Sequence, residues 1–209
     1  MDAAAFIQAN LPLAPVPGIP EIRLHQASPT SGLHRLLTDG TPPYWAYRWA
    51  GGLALARHIL DHPGIVAGRS VLDLGAGSGL VGIASAMAGA RHVLAAETDP
   101  HAIAALGLNA TANDVTITPL HADLLDGAAP PADLILVGDL FYAPDLAGRV
   151  TAFLDRCLDA GMTVLVGDPW RAPLPRDRLT LLARYAVAET GGALKDSGVF
   201  AFGAVTPAS

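Results

Sequence analysis

Cysteine is almost missing from this chain. Among 209 residues only Cys157 occurs, which excludes an intrachain disulfide and any cysteine-based zinc cluster. It reads as a small apolar residue on a helix face. Lysine is as scarce: of 13 basic residues all are Arg except Lys195. Positive charge is also outweighed, 13 basic against 19 acidic residues for a net charge of −6. That balance leaves no dense phosphate-neutralising surface, so it argues against duplex nucleic acid and for a cationic partner. No apolar run approaches the roughly 18 to 20 residues needed to cross a bilayer, so no membrane association is expected. The N-terminus has Asp2 where a secretory signal is basic, and it lacks the Arg- and Ser-rich character of a transit peptide. A cytoplasmic protein is therefore expected. What is abundant is apolar mass, at 51% hydrophobic residues, with 22 Gly and 17 Pro and only 15% charged residues. Those proportions exclude disorder, collagen and coiled coil and describe one compact domain with a sizeable core.

From residue 70 onward short aliphatic runs alternate with stretches of helical period, the pattern of a parallel sheet flanked by helices. Strands are predicted at Ser70–Leu74, His92–Ala96, Val115–Thr118, Asp133–Val137 and Met162–Gly167. Helices are predicted at Leu80–Gly89, Pro100–Asn113, Pro144–Ala160 and Arg176–Arg184. Tyr185–Thr190 and Gly198–Ala204 follow with only the Gly191-Gly192 region between them, and should pair as an antiparallel hairpin. The expected fold is α/β, a Rossmann-like seven-stranded sheet with a terminal antiparallel hairpin. Residues 1–69 form an N-terminal cap rather than a separate domain, and residues 70–209 the core. Pro12, Pro15, Pro17 and Pro20 cannot sustain a helix, so this stretch is expected to wrap the main sheet. A helix is predicted from Gly51 to Leu60.

Val71-Leu72-Asp73-Leu74-Gly75-Ala76-Gly77-Ser78-Gly79-Leu80 runs an apolar strand into three alternating glycines and then a helix. Glycines let backbone turn tightly and approach a ligand, and the helix start offers unpaired N–H groups. Gly77-Ser78-Gly79-Leu80-Val81-Gly82 also satisfies the dinucleotide fingerprint, which leaves NAD as a rival cofactor. Asp73 weighs against it, because a pyrophosphate disfavours a carboxylate two residues before Gly75. S-adenosylmethionine has no phosphate and carries an ammonium, which an acid at the first strand tip suits. Glu97 ends the second strand 22 residues after Gly75 and can accept from both ribose hydroxyls. Asp99 reads as the N-cap of the helix that Pro100 opens.

Two further segments carry candidate chemistry. Asp139-Leu140-Phe141-Tyr142 follows the fourth strand, at the carboxyl edge where an acceptor would sit. A second, Tyr44-Trp45-Ala46-Tyr47-Arg48-Trp49, gathers four of the twelve aromatics just before a helix and reads as a lid, with Trp49 facing the cofactor pocket. His58 and His62 stand four apart on one helix, but no third ligand is evident and no metal is expected. A cofactor-binding module without catalysis remains an alternative; Asp139 and the intact glycines weigh against it.

The D-x-G-x-G-x-G run resembles motif I of the seven-strand methyltransferases, and Asp139-x-x-Tyr142 resembles the D-x-x-Y motif of their protein lysine methyltransferases. With Pro20–Leu24, Pro43–Gly52 and Val166–Arg171, the chain resembles the electron transfer flavoprotein β-subunit lysine methyltransferases over most of its length. It departs mildly at Ala50, where the family usually has Pro, and at Glu97, where Asp is common. The resemblance implies S-adenosylmethionine as cofactor, bound by Asp73, Gly75, Gly77, Gly79 and Glu97. Asp123 would meet the adenine amino group and Leu124 N–H the ring. It implies Asp139 as the residue orienting the acceptor ammonium, with Phe141 and Tyr142 walling the channel. The implied partner is the flavoprotein β subunit, with a ribosomal protein as alternative substrate, and the lack of a presequence suggests a bacterial member.

Overall fold

The computed structural model describes residues 2–36, 40 and 42–203. Its main sheet has seven strands: β3 (Ser70–Leu74), β4 (His92–Glu97), β5 (Thr118–His121), β6 (Leu134–Gly138), β7 (Thr163–Asp168), β8 (Leu179–Ala188) and β9 (Leu194–Phe202). Their order is β5-β4-β3-β6-β7-β9-β8, parallel except that β9 runs antiparallel to both neighbours. This is the Rossmann-like seven-stranded architecture expected, with its terminal hairpin. The chain builds outward from β3 to β4 and β5, then returns to lay β6 on the other side of β3. The carboxyl ends of β3 and β6 therefore flank a topological switch point, where open α/β sheets bind ligands.

Continuous apolar strands are what a sheet covered on both faces requires. Leu72, Leu74, Ile135, Val137, Val164 and Val166 point to one face, buried under Phe153, Leu154 and Cys157 of α5 (Pro144–Asp159). Val71, Leu134, Leu136 and Leu165 point to the other, under α2 (Ala50–Asp61) and α3 (Leu80–Met87). Asp99 caps α4 (Pro100–Ala112), its Oδ1 accepting from His101 N at 2.7 Å. No helix among the described residues is long and apolar enough to cross a membrane.

Several expectations are corrected. The segment expected as a strand at Val115–Thr118 pairs with β4 only from Thr118 to His121. Val115 and Ile117 pack into the core beside α3 before the ladder begins. Pro119 lies within the observed strand, as an edge position tolerates. The expected helix Arg176–Arg184 is a single 3₁₀ turn, Arg176–Arg178, followed by β8. A register shift between Leu181 and Ala183 interrupts the two-residue alternation there, which gives the segment a false helical period. The hairpin is thus longer than read, and Ala204 lies outside the described residues.

The N-terminal residues form more structure than their prolines suggest. Asp2 caps an unexpected α1 (Ala3–Asn10), and β1 (Leu13–Val16) pairs with β2 (Ile19–His25) as an antiparallel ribbon. A two-stranded ribbon leaves each strand an unpaired edge, where Pro15 and Pro20 lose no ladder bond. The ribbon lies on helices rather than on the sheet. Asn113 Oδ1 and Asn109 Oδ1 accept from Arg23 N and His25 N, each at 2.8 Å, tying β2 to α4.

Candidate active site

A cavity of about 560 Å³ opens at the switch point. Its floor is the loop after β3, where Gly75, Gly77 and Gly79 adopt φ of 67°, 53° and 88°, a region costly for residues with a Cβ. At Gly75 a Cβ would also stand 2.6 Å from Leu140 Cδ2, so the Leu140 side chain of the loop after β6 packs against this glycine and would have to shift to admit a larger residue.

Asp73 and Glu97 present carboxylates to the cavity. Glu97 holds the loop itself: it accepts from Gly77 N at 2.8 Å, Thr98 N at 2.6 Å and Asp99 N at 3.1 Å. Thr98 Oγ1 also donates to Oε1 at 3.3 Å, whereas among the described residues Oε2 is engaged by Gly77 N alone, so one of the two acceptor sites of Oε2 remains. Asp73 is buried and accepts from Gly82 N at 2.8 Å. Burial, aided by the nearby charge of Glu97, pushes its pKa up to about 7. Asp123 and Leu124 line the wall beyond β5. Arg149 donates to Asp123 at 2.8 Å and to Asp126 at 2.6 Å, and this pairing keeps the Asp123 carboxyl below its ordinary range.

The opposite side is built by a contact the sequence reading missed. At Gly51 a Cβ would lie 2.1 Å from the Gly167 carbonyl oxygen, and at Gly167 one would lie 2.2 Å from the Gly51 oxygen. Paired glycines thus let the start of α2 rest directly on the end of β7. There Gly51 N and Gly52 N donate to the two carboxylate oxygens of Asp139, at 3.0 and 2.5 Å. Trp49 occupies the N-cap position of α2 but forms no side-chain cap. Asp139 fills that role from the loop after β6, aided by Glu189, whose Oε1 accepts from Ala50 N at 3.1 Å.

Arg171 completes the arrangement. Its Nη1 donates to Asp139 Oδ1 at 2.6 Å and to the fully buried Asp168 at 3.0 Å. Burial pushes both carboxyls above the ordinary range, while Arg171 favours their ionised forms. Asp139 sits at φ 62°, a left-handed conformation that short polar side chains tolerate; Trp170 sits at 64°, where a bulky residue is strained. The signal for Asp168 and Arg171 was present, an acid and a base three apart just past a strand's carboxyl end.

The two aromatics after Asp139 separate. Phe141 is fully buried in the core beneath α5, so it does not wall the cavity; its neighbour Tyr142 lines it and is half exposed. Tyr142 stands 5.8 Å from Tyr44, which is 5.9 Å from Trp49, and Trp49 Nε1 donates to Tyr44 O at 2.9 Å. Tyr44, Trp49 and Tyr142 therefore form an aromatic rim. Trp45, which also lines the cavity, lies deeper, packed with α1 and α4, and its Nε1 is buried without a partner among the described residues. Away from the site, the His58 and His62 ring centroids lie 4.5 Å apart with the rings tilted at 39°, and His58 Nδ1 lies 2.9 Å from the Tyr185 hydroxyl.

A seven-stranded sheet with its glycine loop at the switch point defines a class I methyltransferase fold. Residues 56–140 match the ribosomal protein L11 methyltransferase family. Magnesium protoporphyrin IX methyltransferase from Synechocystis, solved with SAM bound, shares the fold at a TM-score of 0.53 and 14% identity, over 81% of this chain and 88% of that one. The electron transfer flavoprotein beta subunit lysine methyltransferase of Rattus norvegicus is 40% identical over 81% of this chain and 70% of its own length. That of Xenopus laevis is 39% identical over 95% and 86%. The chain belongs to the electron transfer flavoprotein beta subunit lysine methyltransferase family.

Proposed function

We propose that this protein is an S-adenosylmethionine-dependent protein lysine N-methyltransferase whose substrate is the electron transfer flavoprotein β subunit. The observation that carries the reading is the pair of opposed walls around one cavity. Asp73, Glu97 and the glycine loop stand on one side, and Asp139 with an aromatic rim on the other.

The residues fit the cofactor. The cavity has the volume of a small-molecule site. Asp73 is a buried carboxyl that an ammonium would restore to its ionised form, Glu97 keeps one acceptor site for a ribose hydroxyl, and Trp45 Nε1 is an orphaned donor. Gly75, Gly77 and Gly79 keep the loop open for close approach, and Asp123 and Leu124 bound the adenine end. When bound, S-adenosylmethionine supplies an electrophilic methyl group. Residues 1–69 act as a cap over the core, with Trp49 and Tyr44 at its working edge.

For transfer, the lysine amine must be neutral, and removing its proton at pH 7 costs about 4 to 5 kcal/mol from a pKa near 10.4. Asp139 has three of its acceptor sites filled by Gly51, Gly52 and Arg171, which leaves one on Oδ2 for the incoming ammonium. With both carboxyls ionised, the form that Arg171 favours, Asp139, Asp168 and Arg171 together carry one net negative charge, which attracts that ammonium while its proton passes to water. The aromatic rim of Tyr44, Trp49 and Tyr142 suits methylated lysine, which keeps its charge and is attracted by π-systems. An overall charge of −6 suits such a partner and disfavours duplex nucleic acid and anionic membrane.

The match to the ribosomal protein L11 methyltransferase family over residues 56–140 favours a ribosomal protein as second substrate. Thermal melts with S-adenosylmethionine and with NAD test the cofactor: stabilisation by the first alone is expected, and by NAD alone would overturn the assignment. Labelled methyl offered with recombinant flavoprotein and with a ribosomal-protein fraction then separates the two substrates.

A further inference from the structure

Three arginines line the cavity: Arg48, Arg149 and Arg171. Two are neutralised where they stand, Arg149 by Asp123 and Asp126 and Arg171 by Asp139 and Asp168. Arg48 differs. Among the described residues its guanidinium forms no ion pair and donates no hydrogen bond, and its Nε is buried without a partner. Burial draws its pKa below the ordinary guanidinium value, the expected response of a desolvated, uncompensated cation.

The backbone around it is nevertheless fixed. Arg48 N donates to Thr190 Oγ1 at 2.8 Å, and Thr190 N donates to Arg48 O at 3.3 Å. Thr190 lies at the tip of the β8–β9 hairpin, which continues past the end of β7: Asp168 pairs with Gly198, and the hairpin runs on to Leu194. A buried donor left unpaired is costly, and a guanidinium carried on a fixed backbone is a ready fork for a carboxylate.

We propose that Arg48 is an anion-recognition residue of the cavity, and that its ligand is a carboxylate brought by a reactant. The inference rests on the methyltransferase reading, which supplies two sources: the amino-acid end of S-adenosylmethionine, and an acidic side chain flanking the target lysine. Position favours the second. Asp73 on β3, Glu97 at the end of β4 and Asp123 after β5 are the residues assigned to the cofactor, whereas Arg48 is tied to the hairpin over the β7–β9–β8 half of the sheet, beside the aromatic rim.

The Arg48 Nε–H resonance, assigned by its loss in Arg48→Gln, reports occupancy without reference to turnover. It is followed while the protein is titrated with S-adenosylmethionine or its decarboxylated analogue, and with lysine peptides flanked by Asp or by Asn. Calorimetric affinities of wild type, Arg48→Gln and Arg48→Lys accompany it, with melting curves to confirm folding. A shift with the Asp-flanked peptide alone, and an affinity loss of about tenfold or more in Arg48→Gln for that peptide only, supports the substrate source. A shift with S-adenosylmethionine but not its decarboxylated analogue supports the cofactor source. No carboxylate-selective shift in either pair, from a wild type that methylates lysine, overturns the inference and leaves the function standing. A carboxylate-selective shift in a wild type that transfers no methyl supports the site and contradicts the function.

Discussion

The carboxylate of Asp139 and the guanidinium of Arg171 meet at 2.6 Å across the mouth of the cavity, 32 residues apart in sequence. Asp139 also caps α2, so one side chain joins the loops after β6 and β7 to the helix over them. Its substitution therefore reaches beyond chemistry.

Asp139→Ala strands Gly51 N and Gly52 N and leaves Arg171 paired with Asp168 alone. The expected result is loss of transfer and a destabilisation of about 3 kcal/mol, read by urea unfolding. Asp139→Asn retains an acceptor for α2 and should recover part of the stability but not the activity. Full stability in Asp139→Ala would contradict the capping role.

Gly51 and Gly52 are adjacent yet should respond oppositely to alanine. At Gly51 the new methyl meets the Gly167 carbonyl at 2.1 Å, whereas at Gly52 it finds only ordinary contacts, the nearest Asp139 Oδ2 at 3.6 Å. Gly51→Ala should cost about 2 to 3 kcal/mol. Gly52→Ala should be neutral or stabilise by about 0.5 to 1 kcal/mol, because glycine weakens a helix interior. Paired thermal melts decide the matter.

Asp73 gives a pH dependence of unusual sign. Its carboxyl moves from 3.8 to about 7 on folding, so the native state holds a proton that the unfolded chain releases. The corresponding stability is complete below pH 3.8 and is lost as pH rises to about 7, a change of roughly 4 kcal/mol. Asp73→Asn should remove this slope and unfold less readily than wild type at pH 8. It should also abolish stabilisation by S-adenosylmethionine. Wild-type cofactor affinity should rise with pH up to about 7, since only the ionised carboxylate attracts the ammonium. Parallel pH–stability curves for wild type and Asp73→Asn would refute this account.

Phe141 and Tyr142 divide structure from recognition. Phe141→Ala should cost about 3 to 5 kcal/mol, as for any large buried aromatic. Tyr142→Ala, at a half-exposed rim position, should leave stability within about 0.5 kcal/mol and raise KM for the protein substrate. Calorimetry with steady-state kinetics separates the two effects.

Much of the fold was legible because its central strands are short aliphatic runs, interrupted in β3 by Asp73, with Gly or Asp-Pro close to their ends. β3 and the start of α4 fell where their residues indicated. Legibility failed where local pattern and tertiary context disagree: the register shift in β8, the edge-strand proline of β5, and α1 under its Asp2 cap. Asp73, Glu97 and Asp139 could be nominated because their types fit a cavity at strand ends. That Asp139 would cap α2, that Gly51 would touch Gly167 and that Arg171 would pair with Asp139 depend on long-range packing, which no local spacing encodes. Phe141 and Tyr142 could not be told apart for the same reason: one residue of difference sends a side chain to the core or to the rim.

The most direct test of the account is mass spectrometry of the electron transfer flavoprotein β subunit after incubation with the purified protein and methyl-labelled S-adenosylmethionine. Label is expected on lysine Nζ of the β subunit, and none with Asp139→Ala. Label on another residue type, or none on any protein despite cofactor binding, would contradict it.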